Sequence, residues 1–265
     1  MRVKAGIPLC LNETGKRARQ EDTIMPTEDG IAENGHLFVL CDGMGGHQHG
    51  DMASRIVADS IYSSLNQDNN KINADIVSNV IEKAYDALDS FSILDNTYMK
   101  MGTTMVCLDI FNDGYIAAHI GDSRIYHIRP NLYDEDTPTD CILYQSFDHS
   151  LVNMLIKMGE ITEEEALHHP ERHILLKAMQ PGLGENRFRP YIRESKDIMP
   201  GDYYFLCSDG VSDYIDNATI ARIISSKNAD DTEKIRMIER LCHEKSNDNY
   251  SCWLIPIVAE SINEK

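Results

Sequence analysis

The chain has 265 residues, 42% hydrophobic and 26% charged, the balance of a folded domain with enough apolar material for a substantial core. Its 43 acidic and 25 basic residues leave a formal net charge of −18, a field that repels phosphate backbones and anionic membrane surfaces and so excludes nucleic acid and membranes as partners. The seven cysteines are scattered through apolar runs, Arg2 and Lys4 precede no apolar leader, and no window approaches the roughly 18 apolar residues of a membrane span. Reduced thiols and a cytoplasmic location are expected.

In chain order, a strand over Leu37–Cys41 is followed by two segments with apolar residues at helical spacing: Met52, Ile56, Val57, Ile61 and Leu65, then Ile76, Val80, Ile81, Ala84 and Leu88. Strands follow at Thr104–Phe111, Tyr115–Ile120 and Arg124–Ile128, a surface loop at Pro130–Asp140, and a strand at Ile142–Phe147. An insertion of about 148–180 then holds a short helix through Leu151, Val152, Leu155, Ile156 and Met158, and a second opened by the capping box of Thr162 and Glu165. It is either a lid that meets substrate or a packing excursion. A strand at Tyr203–Cys207, helices at Asn217–Ser226 and Asp230–Glu244, and a last strand at Tyr250–Val258 complete the chain. Helices fall in pairs between groups of strands, which predicts α+β layering rather than a parallel βαβ sheet. With no repeat or linker, one domain over 1–265 is expected.

Carboxylates recur where apolar strands run out: Asp42 after Leu37–Cys41, Asp122 after Tyr115–Ile120, and Asp209 after Tyr203–Cys207. Any one of them reads as a turn residue. Three together suggest hard oxygen ligands converging on Mg²⁺ or Mn²⁺, with the glycines after Asp42 and Asp209 letting backbone approach an ion. Arg17-Ala18-Arg19-Gln20-Glu21-Asp22 sets adjacent carboxylates beside guanidinium forks suited to phosphate oxygens, and Asp248 adds a carboxylate before the last strand; alone, each segment reads as a surface loop. His47 and His49, and His168 and His169, read as surface histidines rather than zinc ligands.

Taken together, Arg17 to Asp22, Asp42-Gly43-Met44-Gly45-Gly46, Gly102-Thr103-Thr104, Gly121-Asp122-Ser123-Arg124, Ser208-Asp209-Gly210 and Asp248-Asn249 form an ordered set over nearly the whole chain. The set resembles the metal-dependent serine/threonine protein phosphatases, the PPM family, and the segment from Asp148 to His169-Pro170 resembles the flap of bacterial members. The resemblance implies two antiparallel sheets packed as a sandwich and flanked by helix pairs. It implies that Asp42 bridges two Mn²⁺ or Mg²⁺ ions, with Asp209 and Asp248 on one and Glu21 and the Gly43 carbonyl on the other. Asp22 would hold metal-bound water and Arg17 would bind phosphate. Asp122 is equally a ligand of a third, weaker ion or a structural turn residue.

Two departures stand out: Gln20 replaces the family's usual asparagine, and Met44 stands where many eukaryotic members carry a proton-donating histidine, a role a thioether cannot fill. The implied reaction is hydrolysis of phosphoserine and phosphothreonine by a water bridged between the ions, without a phosphoenzyme. The chain lacks both a Gly-x-Ser-x-Gly elbow and a Cys-x5-Arg cradle, so a covalent route has no nucleophile. Rival readings are a pseudophosphatase that only binds phosphoproteins, and a phosphotransferase using Gly43 to Gly46, which lacks the Lys-Ser/Thr of a phosphate loop. The implied partners are proteins phosphorylated by a serine/threonine kinase, and a monomer is expected.

Overall fold

The computed structural model describes residues 2–30, 35–44, 49–66, 72–93 and 96–260. Its strands are β1 (Val3–Ala5), β2 (Leu9–Glu13), β3 (Asp22–Met25), β4 (Leu37–Met44), β5 (Gly102–Thr103), β6 (Met105–Phe111), β7 (Gly114–Ile120), β8 (Arg124–Ile128), β9 (Ile142–Gln145), β10 (Tyr191–Ser195), β11 (Tyr203–Cys207) and β12 (Tyr250–Ala259). They form two antiparallel sheets. One runs β1-β12-β11-β8-β9, with β2 also on β12; the other runs β10-β7-β6-β4-β3, with β5 on β4.

The strands read as unbroken apolar runs because both faces of each sheet are buried. In β4, Phe38 and Leu40 point between the sheets with Trp253, Ile255 and Leu206, while Leu37, Val39 and Cys41 point outward to helices. Burying each such side chain contributes about 1.5–3 kcal/mol. Helices α1 (Gly50–Asn66) and α2 (Ala74–Ser92) cover the outer face of the second sheet with Val57, Ile61, Leu65, Val80, Ile81 and Leu88. On the other sheet, Ile220, Ile224, Ile235 and Ile238 belong to the later helices, named below. The result is the expected four-layer sandwich.

The insertion contains α3 (Leu151–Met158), capped by Ser150 and ended by left-handed Gly159, and α4 (Glu163–Leu167), whose Thr162–Glu165 capping box forms. After β11 come α5 (Asp209–Ser212), α6 (Asn217–Ile224) and α7 (Asp231–Lys245). Strands β1, β2, β3, β5 and β10 were not anticipated: they are short, or alternate apolar with polar residues only briefly. The Pro130–Asp140 loop carries two short 3-10 turns, Pro130–Leu132 and Pro138–Cys141. Among the described residues, no helix is long and apolar enough to cross a membrane.

Candidate active site

Asp42 does not follow a strand tip, as expected, but lies within β4, which continues to Met44. Its main chain is fixed on both sides: its N–H donates to Thr104 Oγ1 at 3.0 Å, and its carbonyl accepts from Thr104 N and Thr103 Oγ1, each at 2.9 Å. Thr104 Oγ1 also meets Ser123 Oγ at 2.7 Å, which ties the Gly102-Thr103-Thr104 and Gly121-Asp122-Ser123 segments together. Gly121 has φ of +109° and packs on Thr104, so a side chain there would clash. Gly43 lies where a methyl would strike the Glu21 and Gly50 carbonyls, and its N–H donates to Glu21 O at 3.1 Å.

Across the strand pair, Asp22 of β3 is in register with Asp42. Asp22 is 5% exposed and accepts from Ser208 Oγ at 2.9 Å. Gln20 folds back to accept from Asp22 N at 3.2 Å and donates to Asn12 Oδ1 at 2.6 Å, so the longer amide braces the loop locally. Asp209 opens α5 directly after Ser208.

Asp42 is in register with Asp22, and Ser208, which donates to Asp22, directly precedes Asp209, so the three carboxylates bear on one another. Partial desolvation, then the charges of neighbouring carboxylates, holds Asp42 and Asp209 well above the ordinary carboxylate range. Burial, offset in part by Ser251 and Ser208, raises Asp22 to about 6. Asp122 is pushed up to about 7 by burial and then by Asp148 and Asp213. Glu21 is raised by desolvation and by Asp51.

Asp248 and Arg17 are paired, with the guanidinium donating to Asp248 Oδ2 at 2.6 Å. The fork expected on phosphate therefore rests on an expected metal ligand. Among the described residues, no three carboxylates, histidines or cysteines are drawn together as closely as a shared ion draws its ligands. The chemistry of the donors nonetheless fits hard divalent cations: the largest influences on Asp42 and Asp209 all oppose ionisation, and a cation held among these carboxylates would reverse them. Gly45, Gly46 and His47 lie outside the described residues. His49 meets the Tyr98 ring edge-on at 4.4 Å, and His169 accepts from Glu171 N in an exposed loop.

Asn249, given no role from sequence, clamps two loops. Its Nδ2 donates to the carbonyls of Thr14 and Arg19, each at 2.8 Å, and its Oδ1 accepts from Glu21 N at 2.9 Å. Since Asn249 is 4% exposed, Asn249→Ala leaves buried partners unmet, and we expect it to lower the unfolding free energy in urea by about 3 kcal/mol. A loss below about 0.5 kcal/mol, the scale of a neutral surface change, would refute the clamp. A methyl on Gly210 would overlap the Asn249 carbonyl oxygen, so the Asp209 and Asp248 loops touch backbone to backbone.

Both ends of the insertion join this frame. His149 and Gly121 exchange main-chain and side-chain hydrogen bonds, Asp148 takes a bidentate pair from Arg124, and Met179 bridges to Thr103. His173 lies 3.5 Å from Asp213, four residues beyond Asp209.

Residues 15–254 match the family model described as protein phosphatase 2C. The protein phosphatase PhpP of Streptococcus pneumoniae is 35% identical over 197 residues, covering 72% of this chain and 73% of that protein. The structure of the serine/threonine phosphatase Stp1 from Staphylococcus aureus superposes with a TM-score of 0.80 at 30% identity, covering 96% of each chain. A bacterial serine phosphatase structure gives the same TM-score and identity over 96% of this chain and 99% of that one.

Proposed function

The chain belongs to the protein phosphatase 2C family, and from that premise we propose that the carboxylate recess at the end of the sandwich is its phosphate-hydrolysing centre. The enzyme is a protein serine/threonine phosphatase. The observation that carries the assignment of the site is that Asp22 lies in register with Asp42 across β3 and β4 and accepts from Ser208, the residue before Asp209.

In this reading two Mn²⁺ or Mg²⁺ ions would be held by Asp42, shared between them, with Asp209 and Asp248 for one and Glu21 and the Gly43 carbonyl for the other. Asp122, whose charge bears on both Asp42 and Asp209, borders a third position. When bound, such ions lower the pKa of water and neutralise phosphoryl oxygens during in-line attack. Asp22, anchored by Ser208, orients the attacking water by accepting its proton-bearing side. With a cation on Asp248, the planar fork of Arg17 would be released to take two phosphate oxygens.

No cysteine suits a phosphoenzyme route. None of the seven cysteines is in a disulfide, and burial pushes Cys41, Cys107, Cys207 and Cys252 up, away from the thiolate a nucleophile needs. Cysteines outside disulfides also support a reducing, cytoplasmic setting. The substrates in this reading are proteins phosphorylated by serine/threonine kinases, and the enzyme acts as a monomer.

Phosphate release from a phosphothreonine peptide, with Mn²⁺ and after chelation, tests the reading; turnover that survives complete chelation would sink it. For Arg17→Ala we expect KM for the peptide to rise about tenfold with a smaller change in kcat, because the fork binds phosphate in ground and transition states alike. An unchanged KM would remove Arg17 from phosphate binding.

A further inference from the structure

Among the described residues four arginines have most of their surface covered, and three of them close on carboxylates. Arg124 holds Asp148 at 2.6 Å, Arg129 holds Asp202 at 2.8 Å and Asp197 at 2.7 Å, and Arg187 holds Asp86 and Asp89, each at 2.7 Å, as well as Glu82. Arg193 differs. Its Nε donates to the Tyr115 hydroxyl at 3.1 Å, and its guanidinium lies 4.6 Å from the centroid of the Tyr144 ring. The Tyr144 hydroxyl is buried without a hydrogen-bond partner, and Tyr115, having accepted from Arg193, shares its own proton with the neighbouring Tyr204 hydroxyl. Among the described residues no carboxylate closes on the Arg193 fork as one does on the other three arginines, which leaves guanidinium N–H groups suited to an anion.

Its position relates it to the active site. Along β10, Ile192 packs toward α2 and Glu194 accepts from Ala74 N, so Tyr191 and Arg193 occupy the opposite face. Tyr191, 52% exposed, has its ring 5.4 Å from that of His119, which stacks at 4.9 Å on His149 where the insertion leaves the sheet. His119 precedes Asp122 on the same strand and turn. Arg193 is in register with Ala117, three residues before β7 ends at Ile120 and five before Asp122 in the turn beyond, so at most about 17 Å of chain separates that register position from Asp122 at roughly 3.4 Å per residue.

We propose that Arg193 is a specificity-determining residue that receives a carboxylate of the substrate protein about five residues from the phosphorylated serine or threonine, the distance an extended chain covers at 3.3–3.6 Å per residue. Tyr191 and Tyr144 flank the intervening segment. In a chain of net charge −18, a glutamate added to a substrate weakens binding by default, so a preference confined to one spacing cannot arise from the overall field.

This inference rests on the phosphatase reading, and the experiment separates the two. Phosphothreonine peptides carrying a single Glu or Ala, scanned over both flanks, are turned over with Mn²⁺ by the wild-type enzyme, R193Q and R193K; para-nitrophenyl phosphate with the wild type tests the reaction itself. We expect the Glu/Ala ratio of kcat/KM to peak at about tenfold near the fifth position through KM, the scale of a charge-assisted hydrogen bond. R193Q should abolish the peak, and R193K, which keeps the charge but loses the fork, should retain part of it. A flat scan in the wild type, or an undiminished peak in either variant, overturns the inference while leaving the phosphatase intact. Should R193Q fail to fold, R193K alone decides by the same criterion. Failure of the wild type on the small ester as well as on every peptide would remove the underlying reading and this inference with it.

Discussion

Asp209→Asn is expected to lower Mn²⁺-dependent turnover of a phosphothreonine peptide by at least about a hundredfold, since groups that merely support a metal ligand are worth 10- to 100-fold and Asp209 is proposed as a ligand itself. The same change should leave the metal-free protein as stable as the wild type, or more so. Asp209 is opposed by desolvation and by Asp122, Asp213, Asp248 and Asp22, and its charge in turn opposes that of Asp42, so a neutral amide relieves repulsion without removing bulk. Activity should thus fall without any loss of thermal midpoint in the metal-free protein. Near wild-type turnover at limiting Mn²⁺ would refute the ligand role, and a fall in the metal-free midpoint would instead mark Asp209 as structural.

Cation binding should stabilise the protein strongly at about pH 8 and hardly at about pH 5. With Mn²⁺ near a hundred times its dissociation constant, linkage supplies about 2.7 kcal/mol, equivalent to roughly 5–10 °C for a chain of this size. The sign follows from the protons. Asp22 near 6 and Asp122 near 7 are raised above the unfolded carboxylate value, as are Asp42 and Asp209, so in the metal-free protein they contribute stability below that value that is lost as pH rises through their folded pKa values. Mn²⁺ replaces those protons and must displace them at low pH. Calorimetry with Mn²⁺ and with chelator at both pH values measures the difference. Equal shifts at both, or none at pH 8, would rule out these carboxylates as the cation site.

Both expectations concern residues legible in the sequence only as a set. Asp42, Asp122 and Asp209 each read as a turn residue alone; their recurrence after apolar runs, with Arg17 to Asp22 and Asp248, made a shared recess credible. Sequence separation hid the partners. Asn249 binds Thr14, Arg19 and Glu21 across more than two hundred residues, and Ser208 meets Asp22 from the opposite sheet. Hydrogen bonds of that kind leave no periodicity, so neither role could be read in advance.

Apolar patterning alone determined the layering. Strands buried on both faces must read as continuous runs and amphipathic helices as stripes, because burial of apolar area drives both and local spacing records it. The tertiary structure alone decided the pairings: that Asp42 sits within β4 rather than beyond it, that Arg17 rests on Asp248, and that Arg193 meets phenols where comparable arginines meet carboxylates. Such pairings depend on which strand ends share an edge of the sandwich. Chain order constrains that choice, but long-range packing and register fix it.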